Sequence, residues 1–265
     1  MSGEAPLQPY VWYPRHMSRV PAASQTLALL RALAERGPST AAALATAVGL
    51  PRSTAYHLLA VLREEGFVVH LPEERRWSLG PTAFSVGQAY LRHDPRESLA
   101  RPLIKALADE VGQTAHLGVL HGTEVVYLLK ESPSRRLDTP TLITGVGVHL
   151  PAAITASGRA LLAHLPKAQL RALMSSPDAF VRRTSSGPQS LTELRRVIDR
   201  ERERGYAHED GEILADYASV AAAVLDRQGQ PVASVSVTYR SDATEDSRTL
   251  GALVIETARA IAARG

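Results

Sequence analysis

The stretch Thr40-Ala41-Ala42-Ala43-Leu44-Ala45-Thr46-Ala47-Val48-Gly49-Leu50-Pro51-Arg52-Ser53-Thr54-Ala55-Tyr56-His57-Leu58-Leu59 decides how the N-terminal part of this chain folds. Its first half, through Val48, is rich in strong helix formers. Gly49 suits the end of a helix, and Pro51 suits the start of the next. Beyond Pro51, Ala55, Leu58, Leu59 and Leu62 recur at the spacing of one helical face. The opposite face carries Arg52, Ser53, Tyr56 and His57, donors and aromatics long enough to reach base edges. A helix, a tight turn and a second helix of this polarity form the unit that offers a recognition helix to the DNA major groove.

Toward the N-terminus, Ser24 is placed to cap a helix whose Leu27, Leu30, Leu33 and Ala34 share a face, ended by Gly37-Pro38. Residues 1–19 read as an arm without regular structure that carries Trp12 and Tyr13. Toward the C-terminus, Gly66 ends the recognition helix. The runs 67–71 and 76–79 then alternate about the turn Pro72-Glu73-Glu74-Arg75. This hairpin is expected to cover the helices with Phe67, Val69, Trp77 and Leu79, its tip reaching out as a wing. Residues 81–93 read as a connecting helix with Phe84, Val86, Tyr90 and Leu91 apolar, and Asp94-Pro95 breaks it. The expected organisation is an arm over 1–19, a winged helix-turn-helix over 20–80, a linker helix over 81–94 and a second domain over 95–265.

That second domain opens with a helix carrying Leu99, Leu103, Leu107 and Val111 at intervals of four. A hairpin joins 115–120 to 124–129. A loop rich in Thr and Gly runs from 139 to 149, and a helix opens at Thr155-Ala156-Ser157-Gly158. Helices follow near 167–174 and 191–204, and a second hairpin joins 219–225 to 232–239. A last helix aligns Leu250, Leu253, Val254 and Ile261. Hairpins and helices in this proportion predict an antiparallel sheet with helices packed on it, an α+β domain.

Composition bounds the function. The 265 residues suffice for two domains, and 45% hydrophobic with 22% charged residues is the balance of a soluble globular protein. No apolar run reaches the roughly 18–20 residues of a membrane span. Pro6, Pro9 and Pro14 interrupt what would be a signal peptide's apolar core. The absence of Cys excludes disulfides, thiol catalysis and Cys-ligated zinc, and agrees with a cytoplasmic setting. A net charge of +3 permits an anionic partner without demanding one. No His-Glu-x-x-His pair, Gly-x-Ser-x-Gly elbow, phosphate-binding loop or dinucleotide fingerprint occurs. The dense run His208-Glu209-Asp210-Gly211-Glu212 reads first as a solvated loop. No metal, cofactor or catalytic residue is expected.

Three blocks resemble one family, the IclR-type bacterial transcriptional regulators. They are Ala47–Leu59; Leu150-Pro151 with Thr155–Ala163; and Arg204-Gly205-Tyr206-Ala207 with Ser219–Val224. They follow in family order and span nearly the whole chain from Val20. The chain departs from the common pattern at Ala153, Arg159, Asp216, Tyr217, Ser219 and Ala223. The resemblance implies a winged helix-turn-helix, a linker helix and a GAF-like effector domain, assembled as homodimers or homotetramers. It also implies a small organic effector, often a carboxylic or aromatic acid, that alters operator binding.

On this reading Arg52, Ser53, Tyr56 and His57 face the groove, while Thr54, Arg63, Arg75 and Arg76 contact phosphates. Glu64, Glu65, Glu73 and Glu74 limit the local positive field, so specificity rests on a few base contacts in an approximately palindromic double-stranded operator. For the effector, the alternation of Ser234, Ser236 and Thr238 with Val235 and Val237 turns small hydroxyls to one strand face, either a pocket wall or the solvent side of an edge strand. The amides at Ala156, Ser157 and Gly158 suit a carboxylate. By resemblance, Leu142, Leu150, Ala156, Ser157, Glu209, Tyr217, Ser219, Ser236 and Thr238 match positions lining the family's pocket. Two alternatives remain open: a small-molecule enzyme, or a non-sensing oligomeric protein, using the winged module for assembly.

Overall fold

The computed structural model describes residues 20–93, 95–134, 144–243 and 246–264. The predicted arm and residues 139–143 of the 139–149 loop, Leu142 among them, lie outside them. The described residues divide into two compact units, 20–93 and 95–264. Among them, no helix is long and apolar enough to cross a membrane.

The first unit packs α1 (Pro21–Arg36), α2 (Ala41–Val48) and α3 (Arg52–Glu64) over a hairpin of β1 (Val68–Leu71) and β2 (Arg76–Leu79), followed by α4 (Pro81–His93). Its core joins Leu29, Leu33, Leu44, Leu59, Leu62, Val68 and Trp77. Thr40 caps α2 through its hydroxyl, which accepts from the Ala43 amide at 3.2 Å. Both α2 and α3 end in Schellman motifs. Leu50 N–H donates to the Ala45 carbonyl at 2.8 Å, and Phe67 N–H donates to the Leu62 carbonyl at 2.8 Å. Gly49 and Gly66 occupy the left-handed positions these turns require, with φ of 72° and 73°.

Three local expectations need correction. Ser24 does not cap α1, which starts at Pro21 with no side-chain cap. The inward stripe of α1 is Leu29, Ala32 and Leu33; Leu27 is exposed. In the hairpin Val68, not Val69, is buried, and Leu79 is partly exposed. Phe67 is drawn into the cap of α3 and packs only partly on the core, and the strand after it does not alternate cleanly: Val68 is buried, Val69 and Leu71 half-buried and His70 exposed. The wing gains a third partner, because Ser39 and Trp77 exchange backbone bonds at 2.9 and 2.8 Å.

The second unit is a six-stranded, wholly antiparallel sheet in the order β5-β4-β3-β8-β7-β6. The strands are β3 (Thr114–His121), β4 (Glu124–Glu131), β5 (His149–Pro151), β6 (Ala207–Asp210), β7 (Tyr217–Leu225) and β8 (Pro231–Arg240). One face is covered by α5 (Pro95–Val111) and α9 (Ser247–Ala262), through Ile104, Leu107, Leu250, Val254 and Ile261 against Leu117, Val220, Val235 and Val237. The stripe of α5 is thus centred on Ala100, Ile104 and Ala108 rather than on Leu99 and Leu103. The other face receives α6 (Ala156–Leu162), while α7 (Lys167–Leu173) and α8 (Leu191–Arg204) complete a second core around Tyr127, Leu161, Leu162 and Leu194. The run at 208–212 is not simply a loop: its first part forms β6, paired to β7.

Candidate nucleic-acid interface and ligand cavity

In the first unit the amphipathic pattern of α3 becomes two faces. Ala55, Leu59 and Leu62 are buried, while Arg52, Ser53, Tyr56, His57 and Arg63 are exposed and Thr54 is half-buried. Tyr56 shows 54% of its surface. No side chain caps the α3 N-terminus, which follows Pro51. Amides of the first helical turn together with hydroxyls are donors suited to phosphate oxygens. At the wing, Arg75 and Arg76 are both exposed. Arg75 takes a φ of 52°, a left-handed conformation unfavourable for a side-chain-bearing residue. Arg76 makes a loose exposed pair with Glu74 at 3.7 Å.

In the second unit, a cavity with about 460 Å³ of free space, part of it open to solvent, lies between α6 and the sheet. Leu150, Ala156, Ser157, Glu209, Tyr217, Ser219 and Thr238, all singled out from the sequence, line it, joined by Tyr127, Thr144, Thr155, Ile213 and Leu214. Ser236 is not on its wall but is buried on the same sheet face, since β8 is central and not an edge. Gly158 is a correction: it does not line the cavity, and its amide is taken at 3.1 Å by the Thr155 hydroxyl that caps α6. Its lack of a side chain serves packing, because a Cβ there would lie 2.3 Å from Ala152 Cα.

Glu209, expected in a solvated loop, is only 3% exposed. Its Oε1 accepts the amides of Glu212 at 2.9 Å and Ile213 at 3.1 Å. Burial outweighs these bonds and the nearby Arg159, and pushes its pKa up to about 7. Burial likewise pushes Tyr127 up to about 12, with the Ser157 hydroxyl beside it pulling the other way. Ser219 and Thr238, cross-strand neighbours, share a hydrogen bond of 3.0 Å. The oxygens of Ser157 and Thr144 are buried without a hydrogen-bond partner among the described residues.

Beside the cavity sits a group the sequence did not single out for a role. Arg159 is wholly buried in α6. Its Nε donates to Glu201 Oε1 at 3.0 Å, Nη1 to Glu212 Oε2 at 2.5 Å, and Nη2 to the His208 carbonyl at 2.5 Å. This cation ties α6 to α8 and to the segment after β6, and so holds two sides of the cavity together. A lone Arg in a run of Ala and Leu has no periodic signature. Its one signal was the departure from the family pattern at this position. Among the described residues, no group of His, Asp and Glu side chains is arranged to hold a metal.

Comparison with known proteins supplies the remaining findings. Residues 22–72 match the family model described as "IclR helix-turn-helix domain", and residues 88–263 match "Bacterial transcriptional regulator IclR C-terminal". The transcriptional repressor IclR of Escherichia coli is 29% identical over 252 residues, 92% of this chain and 89% of its own. The glycerol operon regulatory protein of Streptomyces coelicolor is 34% identical over 200 residues, 74% of each chain. A crystal structure of an IclR homolog from Microbacterium hydrocarbonoxydans, complexed with 4-hydroxybenzoate, shares the fold. Its TM-score is 0.76 at 21% identity, over 91% of this chain and 98% of that one.

Proposed function

From the premise that this chain belongs to the IclR family of bacterial transcriptional regulators, we propose how it divides recognition between its two units. The chain is a DNA-binding regulator, and its relatives are named as repressors and regulators, not enzymes. The winged unit, with its boundaries at 20–80 and a linker helix over 81–94, reads the operator through Arg52, Ser53, Tyr56 and His57. Thr54, Arg63, Arg75 and Arg76 hold phosphates. The observation that carries this reading is the bare polar flank of α3 beside a buried apolar one. A homodimer or homotetramer in the cytoplasm, binding an approximately palindromic site, follows from the two-fold logic of such modules.

The unit over 95–265 binds a small organic acid in the cavity between α6 and the sheet, and this shifts operator affinity. Support comes from the wall itself: apolar Leu150, Ala156, Ile213 and Leu214 beside the hydroxyl-bearing Tyr127, Ser157, Tyr217, Ser219 and Thr238. The fold neighbour that holds 4-hydroxybenzoate supports the same class of ligand. A Glu209 carboxyl with a pKa near 7 tolerates a neighbouring acid better than a fully ionised one would. The test is fluorescence anisotropy on a labelled upstream duplex, titrated with short and aromatic carboxylic acids. At least one acid is expected to shift the midpoint about tenfold or more, a typical coupling between sites. A panel in which none shifts it, while DNA binding persists, rejects the sensing role.

A further inference from the structure

At and beside the cavity wall, α6, β3 and β8 hold three buried polar side chains with no hydrogen-bond partner among the described residues. His116 on β3 stands directly opposite Ser236 on β8, on the sheet face that also carries Ser219 and Thr238. His116 is wholly buried, and neither ring nitrogen has a hydrogen-bond partner among the described residues. The same holds for Oγ of Ser236, 2% exposed, and Oγ of Ser157, 1% exposed. The His116 ring packs on Tyr127 with centroids 4.9 Å apart, and Tyr127 and Ser157 line the cavity. Buried polar groups are paired in nearly all folded proteins, so four unpaired atoms, one on the cavity wall and three on the adjoining sheet face, mark a place that something polar fills.

The chemistry of that place selects the group. Burial, with Lys130 adding to it, pushes His116 down to about 3, so the ring is neutral near pH 7 and presents one N–H and one acceptor nitrogen. A hydroxyl gives one hydrogen bond and accepts others, which matches a neutral imidazole and two serines. A carboxylate only accepts and leaves the acceptor nitrogen unmet.

We propose that the effector cavity ends in an inner subsite of His116, Ser236 and Ser157 that receives an uncharged hydroxyl of the effector. The molecule recognised is therefore a hydroxylated acid rather than a bare one. His116 is a specificity-determining residue. This inference rests on the acid-binding reading of the cavity.

Isothermal titration of the full chain with benzoate and with 4-hydroxybenzoate tests it, in wild type, His116→Phe and Ser236→Ala. The wild type is expected to prefer the hydroxylated probe about tenfold, the scale of one well-placed buried hydrogen bond. The ratio of the two affinities falls to about one in both variants. Should His116→Phe fail to fold by circular dichroism, Ser236→Ala decides alone. Benzoate binding with no hydroxyl preference in wild type, or a preference that survives Ser236→Ala unchanged, overturns the subsite and leaves the acid reading standing. Neither probe binding the wild type overturns the subsite, and the panel of short and aromatic acids then decides the acid reading.

Discussion

The helix α3 starts uncapped after Pro51 and α6 starts at the Thr155 cap, and the two lie in opposite surroundings. In α3 the polar residues form a stripe that the winged unit leaves to solvent. All seven residues of α6 are buried, so its polar side chains face protein. The first arrangement favours a large, hydrated, interchangeable partner such as a duplex. The second favours a small ligand enclosed by fixed dipoles, with a buried ion pair network holding the enclosure. The two regions should therefore fail differently when altered: α6 through stability, α3 through binding alone.

The largest expected effect lies in α6. Arg159→Met strands Glu201 and Glu212 without their shared cation, and should destabilise the chain by about 3–5 kcal/mol, as when one partner of a buried pair is removed. Urea unfolding followed by circular dichroism measures it. A loss below about 1 kcal/mol would show that the network is dispensable to the enclosure.

In α3 the effect should be confined to DNA. Arg52→Ala is expected to weaken operator binding by about 1–3 kcal/mol in an anisotropy titration, with the unfolding midpoint unmoved. Equal losses in affinity and stability would erase the contrast between the helices. Unchanged affinity would remove Arg52 from the reading face.

Glu209 sharpens the comparison through pH. Its folded pKa of about 7 exceeds the ordinary carboxyl value of 4.5, so the folded state holds the proton more tightly. Stability therefore falls as pH rises from about 4.5 to 7, and the loss is complete above that range. Glu209→Gln keeps an oxygen for the Glu212 and Ile213 amides and removes the charge. Relative to wild type it should gain on the order of 1–3 kcal/mol at pH 8 and nothing near pH 4.5. Parallel stability profiles for the two chains would contradict a strained carboxyl at this position.

What the sequence made legible follows the same division. The faces of α3 could be read because Ala55, Leu59 and Leu62 repeat at the helical period over a single boundary between water and core. The turn at Gly49 and the cap at Gly66 were equally plain, since their chemistry is local. The first strand of the wing was misread because Phe67 is claimed by the cap of α3 and Val68 takes the buried place, a contact that alternation cannot register. In α6 no boundary with water exists, so periodicity carries no information about Ser157 or Arg159. Glu209 and His116 were hidden for a related reason. Their burial arises from strands β6, β3 and β8, which meet only through long-range pairing. The hydroxyl alternation on β8 was visible, but only the sheet order decided that it faces protein.

The smallest expected effect separates stability from recognition within the wing. Arg75 sits in a left-handed conformation at the tip, so Arg75→Gly should raise the stability of the winged unit by about 1 kcal/mol. The same change should lower DNA affinity slightly, through loss of one phosphate contact. A variant neither more stable nor weaker in binding would take Arg75 out of both roles.

Footprinting of the region upstream of the gene, with and without the acid that shifts binding, tests the division of labour most directly. Two protected half-sites, about one helical turn or a multiple apart and altered by the acid, are the expected result. Protection that is uniform along the duplex, or indifferent to Arg52→Ala, would contradict an operator-reading flank on α3.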